Sequence, residues 1–263
     1  MKRKILSAGA AILIAELLVA CAAIGLSAEP PVRTVVSDDR PATCYDEKTG
    51  IFRGSMAVRS RVLVAPDGEH RAYAESLAAG VVKLPAKTTG SWLSPECASI
   101  SQLLAADGHL SEFTRVLTIA PAEDTLGNVI KLIDWSPDSH YLLLQVALFQ
   151  WGSDFGGSDP VIYDARTGTL SDPALPYRAF KRRAGRDCVA SIEPLGFSSE
   201  DKIVLRAGPL HAVAPESSEP ESSSCLKKPG IWLYDPETGS VAELPSDYRV
   251  RHFGQVERDA ARK

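Results

Sequence analysis

Short apolar runs alternate with turn signals along most of this chain, which is the pattern of an antiparallel β protein. The clearest strands are predicted at 129–135 and 141–149, on either side of a Ser-Pro-Asp-Ser turn. The unbroken apolar run from Tyr141 to Leu144 predicts a strand that is buried on both faces. Further strands are predicted at 61–64, 71–74, 101–108, 115–118, 161–164, 203–205, 231–235 and 241–244.

Two turn signatures recur between these strands. The first is a Pro-Asp turn, which occurs as Ala-Pro-Asp-Gly at 65–68, as Ser-Pro-Asp-Ser at 136–139 and in a degraded form at 198–201. Proline fixes φ at the second position of a type I turn, and the residues after it close the turn. Each copy therefore predicts a β-hairpin.

The second signature is Tyr-Asp-x-x-Thr-Gly, which begins at Tyr45, Tyr163 and Tyr234. The aspartate can accept a backbone N–H and start the turn, and the glycine supplies the positive φ of a four-residue hairpin loop. A single copy would mean little, because such turns occur in many β proteins. Three copies interleaved with three copies of the Pro-Asp turn predict a repeated sheet architecture.

The alternation of these two turns resembles the WD-repeat-like β-propeller repeats of the TolB type, over roughly residues 41–247. Such repeats form four-stranded blades in many exported bacterial proteins and in the propeller domains of some serine peptidases. The resemblance implies an all-β fold, a propeller-like array of about four repeated antiparallel sheets.

The spacing of the repeats leaves the closure of this array open. Asp46, Asp164 and Asp235 are much farther apart than the ~40–45 residues of a usual blade. The chain could form a small four-bladed propeller with insertions, an incomplete ring, or a β-sandwich built from the same hairpins.

Residues 1–28 are predicted to be an export signal, because a basic start precedes an apolar run and then small residues. The sequence Leu-Val-Ala-Cys at 18–21 also resembles a bacterial lipobox, in which Cys21 would carry lipid and anchor the protein to a membrane. A periplasmic or outer-membrane lipoprotein, a cleaved secreted protein and an uncleaved anchored protein all remain open. Each of them places the folded part outside the cytoplasm.

The rest of the chain divides by composition. Residues 29–40 are predicted to be a polar linker, and 41–250 the propeller-like domain. Within the domain, 212–224 is rich in Ser, Glu and Pro and is predicted to be a disordered insertion. The charged tail at 251–263 is predicted to be a frayed helix or coil.

The cysteines agree with export. Apart from Cys21 there are four of them, at Cys44, Cys97, Cys188 and Cys225. An even number in an oxidising compartment predicts two disulfides, although the sequence alone allows three connectivities. We favour Cys44–Cys97 and Cys188–Cys225, because each pair then brackets one repeat and the second pair closes the predicted insertion.

Charge and motifs limit the chemistry that the sequence predicts. The formal net charge of −4 argues against general nucleic-acid binding. The sequence has no G-x-S-x-G, no H-E-x-x-H, no C-x-x-C and no glycine-rich phosphate loop. No catalytic residue, metal site or cofactor is therefore predicted, and the histidines are interpreted as surface or turn residues.

One loop, at 149–160, combines aromatic residues, glycines and carboxylates between predicted strands. Functional loops on rigid scaffolds often have this composition. The candidate ligand-binding residues are Trp151, Asp154, Phe155 and Asp159. The two aspartates could also hold calcium, or the loop could be purely structural.

A second candidate is the basic stretch at 178–186, which could attract an acidic partner or could be an ordinary solvated loop. Together these features predict a non-enzymatic binding or scaffolding protein of the envelope, with a protein or glycan partner. The alternative is an extracytoplasmic enzyme that acts on glycan or peptide at a site in a propeller channel, and a purely structural cell-surface protein is a third possibility.

Overall fold

A computed structural model of the chain describes residues 34–38, 40–44, 56–81, 96–108, 112–121, 127–150, 156–185, 188–209 and 226–257. These residues form three sheets and one short helix, so the all-β prediction is confirmed for them. None of the helical structure in this part of the chain has the length and apolar character needed to cross a bilayer.

The first sheet has seven strands, and nearly all of its pairings are antiparallel. Strand β4 is central: β5 and then β6 follow on one side, and β2 and β3 share the other side. Strand β1 pairs with β2 in parallel, and β15 pairs with β3. The strands are β1 (Thr34–Val36), β2 (Met56–Arg59), β3 (Leu63–Val64), β4 (Arg71–Val81), β5 (Glu96–Ala106), β6 (Thr114–Ile119) and β15 (Gln255–Val256).

The second and third sheets are four-stranded antiparallel meanders that follow one another in the chain. The second contains β7 (Gly127–Trp135), β8 (Tyr141–Phe149), β9 (Gly156–Asp164) and β10 (Thr169–Leu170). The third contains β11 (Ala190–Phe197), β12 (Ile203–Pro209), β13 (Gly230–Asp235) and β14 (Ser240–Glu243). Helix α1 (Leu175–Ala184) connects the two sheets.

These two sheets repeat each other in strand order and strand pairing, although the Pro-Asp turn of the third sheet is one residue shorter. Tyr163 lies opposite Leu142 in the second sheet, and Tyr234 lies opposite Ile203 in the third. The first strand of each sheet has a β-bulge two residues before its end, between Leu132 and Asp134 in β7 and between Pro194 and Gly196 in β11. The prediction that the two tyrosines occupy equivalent positions is therefore confirmed.

The Pro-Asp turns are equivalent in all three sheets. In each turn one residue adopts the left-handed backbone conformation, at Gly68, Ser139 and Asp201 with φ of 76°, 67° and 58°. The N–H of that residue bonds to the carbonyl three positions earlier in every case. The degraded third copy therefore keeps this bond, although its closing bond from the Ser198 N–H to the Lys202 carbonyl spans one residue fewer than in the other two copies. Its Ser198 Oγ accepts the N–H groups of Glu200 and Lys202.

Successive Pro-Asp turns are also bonded to each other. The N–H of Asp67 donates to Ser139 Oγ at 3.0 Å, and the N–H of Asp138 donates to Asp201 Oδ1 at 3.1 Å. Both bonds run from the same turn position to the left-handed residue of the next turn. The three sheets are therefore related by one repeated contact as well as by a repeated sequence.

The two Tyr-Asp-x-x-Thr-Gly hairpins among the described residues also share one backbone geometry. Gly168 and Gly239 have φ of 67° and 63°, and each donates its N–H to the carbonyl of the aspartate four residues earlier, at 2.8 Å. Asp164 and Asp235 accept a backbone N–H two residues on, each at 2.9 Å. The first copy of this signature, at 45–50, lies outside the described residues.

The sheets stack in chain order around strand β8. Leu142, Leu143 and Leu144 are all 0 % exposed. Leu142 and Leu144 pack with residues of the first sheet, and Leu143 packs with the third sheet and α1. The predicted burial of this strand on both faces is confirmed, and its physical reason is that a sheet lies on each side of it.

A disulfide joins Cys44 to Cys97, as predicted, and packs with Ala42, Val58 and Ala78. The cysteines are 53 residues apart, and closing such a loop stabilises the fold by about 4 kcal/mol in the chain-entropy treatment. Cys188 is disulfide-bonded as well. Its expected partner, Cys225, lies outside the described residues, as does Cys21.

Several boundaries differ from those predicted. The basic stretch forms most of helix α1 and not a loop, and β9 begins at Gly156, within the predicted loop 149–160. Strand β1 lies in the predicted linker, and β15 lies in the tail that was predicted to be helix or coil. Short strands of this kind carry no local signal, because their pairing with a distant sheet defines them.

The C-terminal segment 250–257, which we call the strap, joins all three sheets. Val250 and His252 lie beside Gly196 of the third sheet, and Gly254 lies against Leu63 and Trp135. Strand β15 then extends the first sheet along β3. At the centre of this junction is Asp134, a residue of the second sheet that is 0 % exposed.

Asp134 holds the strap through its carboxylate. Its Oδ1 accepts the N–H of Phe253 at 3.0 Å, that of Gly254 at 2.9 Å and that of Trp135 at 2.9 Å. Among the described residues Oδ2 has no hydrogen-bond donor of good geometry, and it lies 3.6 Å from His252 Nδ1. Burial raises the pKa of Asp134 above its ordinary value of 3.8, and the N–H groups of Gly254 and Phe253 oppose that rise.

Two substitutions at Asp134 should distinguish how much its hydrogen bonds and how much its negative charge contribute to stability. We expect Asp134→Ala to lower the free energy of unfolding by about 2–4 kcal/mol, since it leaves the strap N–H groups without an acceptor. Asp134→Asn keeps an oxygen acceptor and should cost less than about 1 kcal/mol. Urea unfolding of the three proteins at neutral pH measures both effects, and equal losses in the two variants would contradict this role.

The wild type and the Asp134→Asn protein also test how the stability of the fold depends on pH. Because the folded-state pKa of Asp134 is raised, the wild type should be stabilised at low pH and should lose that stability as pH rises from 3.8 through the raised value. The Asp134→Asn protein has no such group, so its stability relative to the wild type should improve over the same pH range. Parallel curves for the two proteins would show that Asp134 has an ordinary pKa.

Candidate functional site

A cleft of about 540 Å³ lies between the second and third sheets, beside α1. The start of β9 forms one wall and the start of β11 forms the opposite wall. Tyr177 and Lys181 of α1 complete the lining, and Asp159 is the acidic residue of the β9 wall. The volume is in the range of ~300–1,000 Å³ that small-ligand sites usually have.

Helix α1 places two polar side chains on this cleft because it is amphipathic. The helix begins at Leu175 with Pro176 in its first turn, and Asp172 Oδ1 accepts the N–H of Ala174 just before it at 2.9 Å. Ala179 and Phe180 are buried, with the Phe180 ring edge-on to Trp232 at 5.2 Å between centroids. Tyr177 and Lys181 are four residues apart and so share one face of the helix.

The arginines of α1 mostly hold the helix in place. Arg178 pairs with Asp172, and Arg182 donates to the carbonyl of Gly239. Arg183 donates to the carbonyl of Val241 at 3.4 Å, and its guanidinium lies 5.5 Å from the centroid of the Trp232 ring. The prediction of a solvated loop is therefore wrong for these three residues, which belong to a helix. The alternative, that the basic stretch attracts an acidic partner, stays a prediction.

Lys181 differs from its neighbours. It lines the cleft, and within the described part of the chain its ammonium has no ion-pair partner. The helix therefore uses its arginines to pack on the third sheet and presents one cation to the cleft.

Tyr177 connects α1 to the β9 wall. Its hydroxyl donates to the carbonyl of Ser158 at 3.2 Å. Burial raises the pKa of the phenol well above its ordinary value, and the negative charge of Asp159 and a hydrogen bond with that carboxylate add to the rise. Tyr177 is therefore a neutral donor at ordinary pH, and it lies close to the Asp159 side chain.

The β9 wall is open over Gly157. A Cβ added at Gly157 would meet no atom within 4 Å, so the cleft has free space directly above this residue. The side chain of Ser158 is bonded to the neighbouring strand β8, because Gln145 Nε2 donates to its Oγ at 3.0 Å. Pro160 has no N–H to offer a further strand, which protects this sheet edge from pairing with another chain.

Of the predicted ligand-binding residues, the structure places Asp159 in the cleft. Trp151, Asp154 and Phe155 lie outside the described residues. The sequence indicated Lys181 only as part of the basic stretch 178–186, and it did not indicate Tyr177, although their four-residue spacing beside the apolar pair Ala179 and Phe180 is a helical signal.

The described histidines have structural partners. His70 Nδ1 lies 2.6 Å from Asp67 Oδ2, and His140 Nδ1 lies 2.9 Å from Asp138 Oδ2, each within its own Pro-Asp turn. His252 belongs to the strap. No group of three or more histidine, cysteine or acidic side chains in the described ranges is close enough to hold a metal ion.

Two further cavities accompany the cleft. One of about 310 Å³ lies beside the strap and includes Asp38, Arg61 and His252. In it Asp38 already pairs with Arg61. The other, of about 340 Å³, lies between the hairpins of the second and third sheets and is lined by apolar residues such as Ile162 and Phe197.

No protein-family model matches the chain, and no curated protein matches it. The geometry of the cleft and the repeated sheets therefore indicate the function.

Removing the hydroxyl of Tyr177 should weaken the connection between α1 and the β9 wall of the cleft. We expect Tyr177→Phe to lower the free energy of unfolding by about 1 kcal/mol at neutral pH, because it removes the bond to Ser158. The difference from the wild type should shrink above pH 10, because the unfolded chain then releases a phenolic proton that the folded wild type retains. Unfolding measured at pH 7 and at pH 11 tests this, and a difference that does not change with pH would contradict it.

Proposed function

We propose that this protein is a non-enzymatic binding protein of the extracytoplasmic space, built on TolB-like propeller repeats, with its ligand site in the cleft. The observation that carries the proposal is the convergence of Asp159, Tyr177 and Lys181 on one cavity of about 540 Å³. A carboxylate, a phenol and an ammonium in one cleft can fix the orientation of a bound molecule, and the apolar walls add contact area.

The propeller arrangement is supported by the repeated contacts between sheets. The second and third sheets share their bulges, hairpins and register, and the same turn-to-turn hydrogen bond links the first to the second and the second to the third. In this proposal the strap connects the last sheet back to the first through β15. A small propeller or an incomplete ring would each contain these features.

The proposed location is supported by the disulfide between Cys44 and Cys97, which is characteristic of oxidising compartments. The export signal at 1–28 and lipid attachment at Cys21 complete this part of the proposal. Binding is favoured over catalysis because no histidine is among the described residues that line the cleft. The partner would be a peptide, a protein segment or a glycan in the envelope.

Filling the cleft tests the proposed site directly. We expect Gly157→Leu to abolish ligand binding without loss of thermal stability, because the new side chain enters open space at a position outside the left-handed region. Gly157→Ala is the matched control, since a single methyl leaves most of the cleft free.

The measurement is saturation-transfer NMR with two probe sets, free tripeptides and free trisaccharides. The proposal predicts that at least one set gives signals with the wild type and with Gly157→Ala, and that Gly157→Leu removes them. Signals that persist in Gly157→Leu, or the absence of binding by either set to the wild type, would contradict it.

A further inference from the structure

The cleft contains two opposite charges that do not neutralise each other. Asp159 lies on the β9 wall and Lys181 lies on α1. In the described part of the chain neither side chain has an ion-pair partner within 4 Å. Elsewhere the described carboxylates and cations are commonly paired, as in Arg206–Glu193 and Arg166–Asp164. The two charges facing this cleft are thus available to a ligand.

The order of the polar groups along the cleft is set by α1. Tyr177 bonds to the Ser158 carbonyl and contacts Asp159, so one end of this helix face lies at the acidic wall. Lys181 is one helical turn farther on, where Cβ atoms four residues apart are separated by about 5–6 Å. An acceptor at one end and a cation at the other end suit a molecule with opposite charges at its two ends.

We propose that the cleft binds a short peptide with free termini, its ammonium on Asp159 and its carboxylate on Lys181. This inference depends on the proposed function, because it names the ligand class of the same site. An extended dipeptide or tripeptide is about 7–11 Å long, which exceeds one helical turn and allows both ends to be engaged. The open space over Gly157 accommodates the peptide side chains, and Val189 and Ile192 line the opposite wall.

Charge balance favours this ligand over a singly charged one. A ligand with only an anionic or only a cationic end would leave one of the two cleft charges partly desolvated without a partner, which is unfavourable. A neutral glycan would satisfy both groups through hydroxyls, but it would gain no charge-assisted hydrogen bond from either. Free peptide termini supply both kinds of charge in a single molecule.

The experiment pairs capped peptides with matched variants. Isothermal titration calorimetry measures the wild type against free tripeptides, their N-acetylated forms, their C-amidated forms and a set of trisaccharides. We expect each cap to weaken binding about tenfold or more. Asp159→Asn should weaken the free peptide to the same degree and remove the discrimination against the N-acetylated form, and Lys181→Gln should do the same for the C-amidated form. Lys181→Arg, which keeps the charge, should bind the free peptide nearly as well as the wild type.

The possible results distinguish an error in the ligand class from an error in the proposed binding site. Equal affinity for free and capped peptides, or trisaccharide binding that Gly157→Leu abolishes, would overturn the peptide inference and leave the proposed function standing. Failure of every probe to bind, or peptide binding that persists in Gly157→Leu, would overturn both. Cap effects that Asp159→Asn and Lys181→Gln leave unchanged would show that the termini bind elsewhere.

Discussion

The buried carboxylate of Asp134 is the contact on which the arrangement of the three sheets depends. It lies at the end of the first strand of the second sheet, just after a bulge, and accepts two N–H groups from the strap. The neighbouring N–H of Phe197, in the third sheet, also stabilises its charge. A buried charge is costly unless backbone donors surround it, so the strap and this carboxylate require each other.

The strap itself has few other attachments. Gln255 and Val256 are exposed, and β15 contributes only two paired residues to the first sheet. Gly196 is needed next to this junction, because its φ of 150° and the nearby Val250 and Asp134 leave no room for a side chain. The C-terminal connection between sheets therefore depends on polar backbone contacts more than on apolar burial.

The cleft depends on the same repeated scaffold. The second and third sheets share one register, and α1 is inserted between the last strand of one and the first strand of the other. Phe180 and Trp232 anchor the helix on the third sheet, while Tyr177 reaches back to the second. Since the cleft walls belong to two sheets, any change in how those sheets stack would alter the distance between Asp159 and Lys181.

Much of the fold was predictable because its signals are local. Apolar runs such as 141–149 and the two turn signatures determine their own hairpins. The third Pro-Asp turn kept its left-handed residue and the bond from that residue to the carbonyl three positions earlier, although Ser199 and Glu200 replace the proline and the aspartate. Cys44 and Cys97 were paired correctly from their position around one repeat.

The remaining features depend on contacts between distant parts of the chain. Helix α1 was missed because its arginines suggested a solvated loop, whereas Arg182 and Arg183 bond to carbonyls that only the fold brings near. Asp134 looks like an ordinary strand residue in the sequence, and its partners are 119 and 120 residues away. Of the cleft, the sequence indicated Asp159 and, within the basic stretch, Lys181. It did not indicate Tyr177, and the three side chains become neighbours only after the two sheets stack.

Hydrogen exchange at the strap amides is the most direct measurement of the central claim. If Asp134 holds the strap, the N–H groups of Phe253 and Gly254 should exchange slower than in an unstructured peptide by a factor on the order of 10³. Exchange of these two amides at the rate of a free peptide, while the amides of Leu142 and Leu144 remain protected, would show that the sheets are held together without this contact.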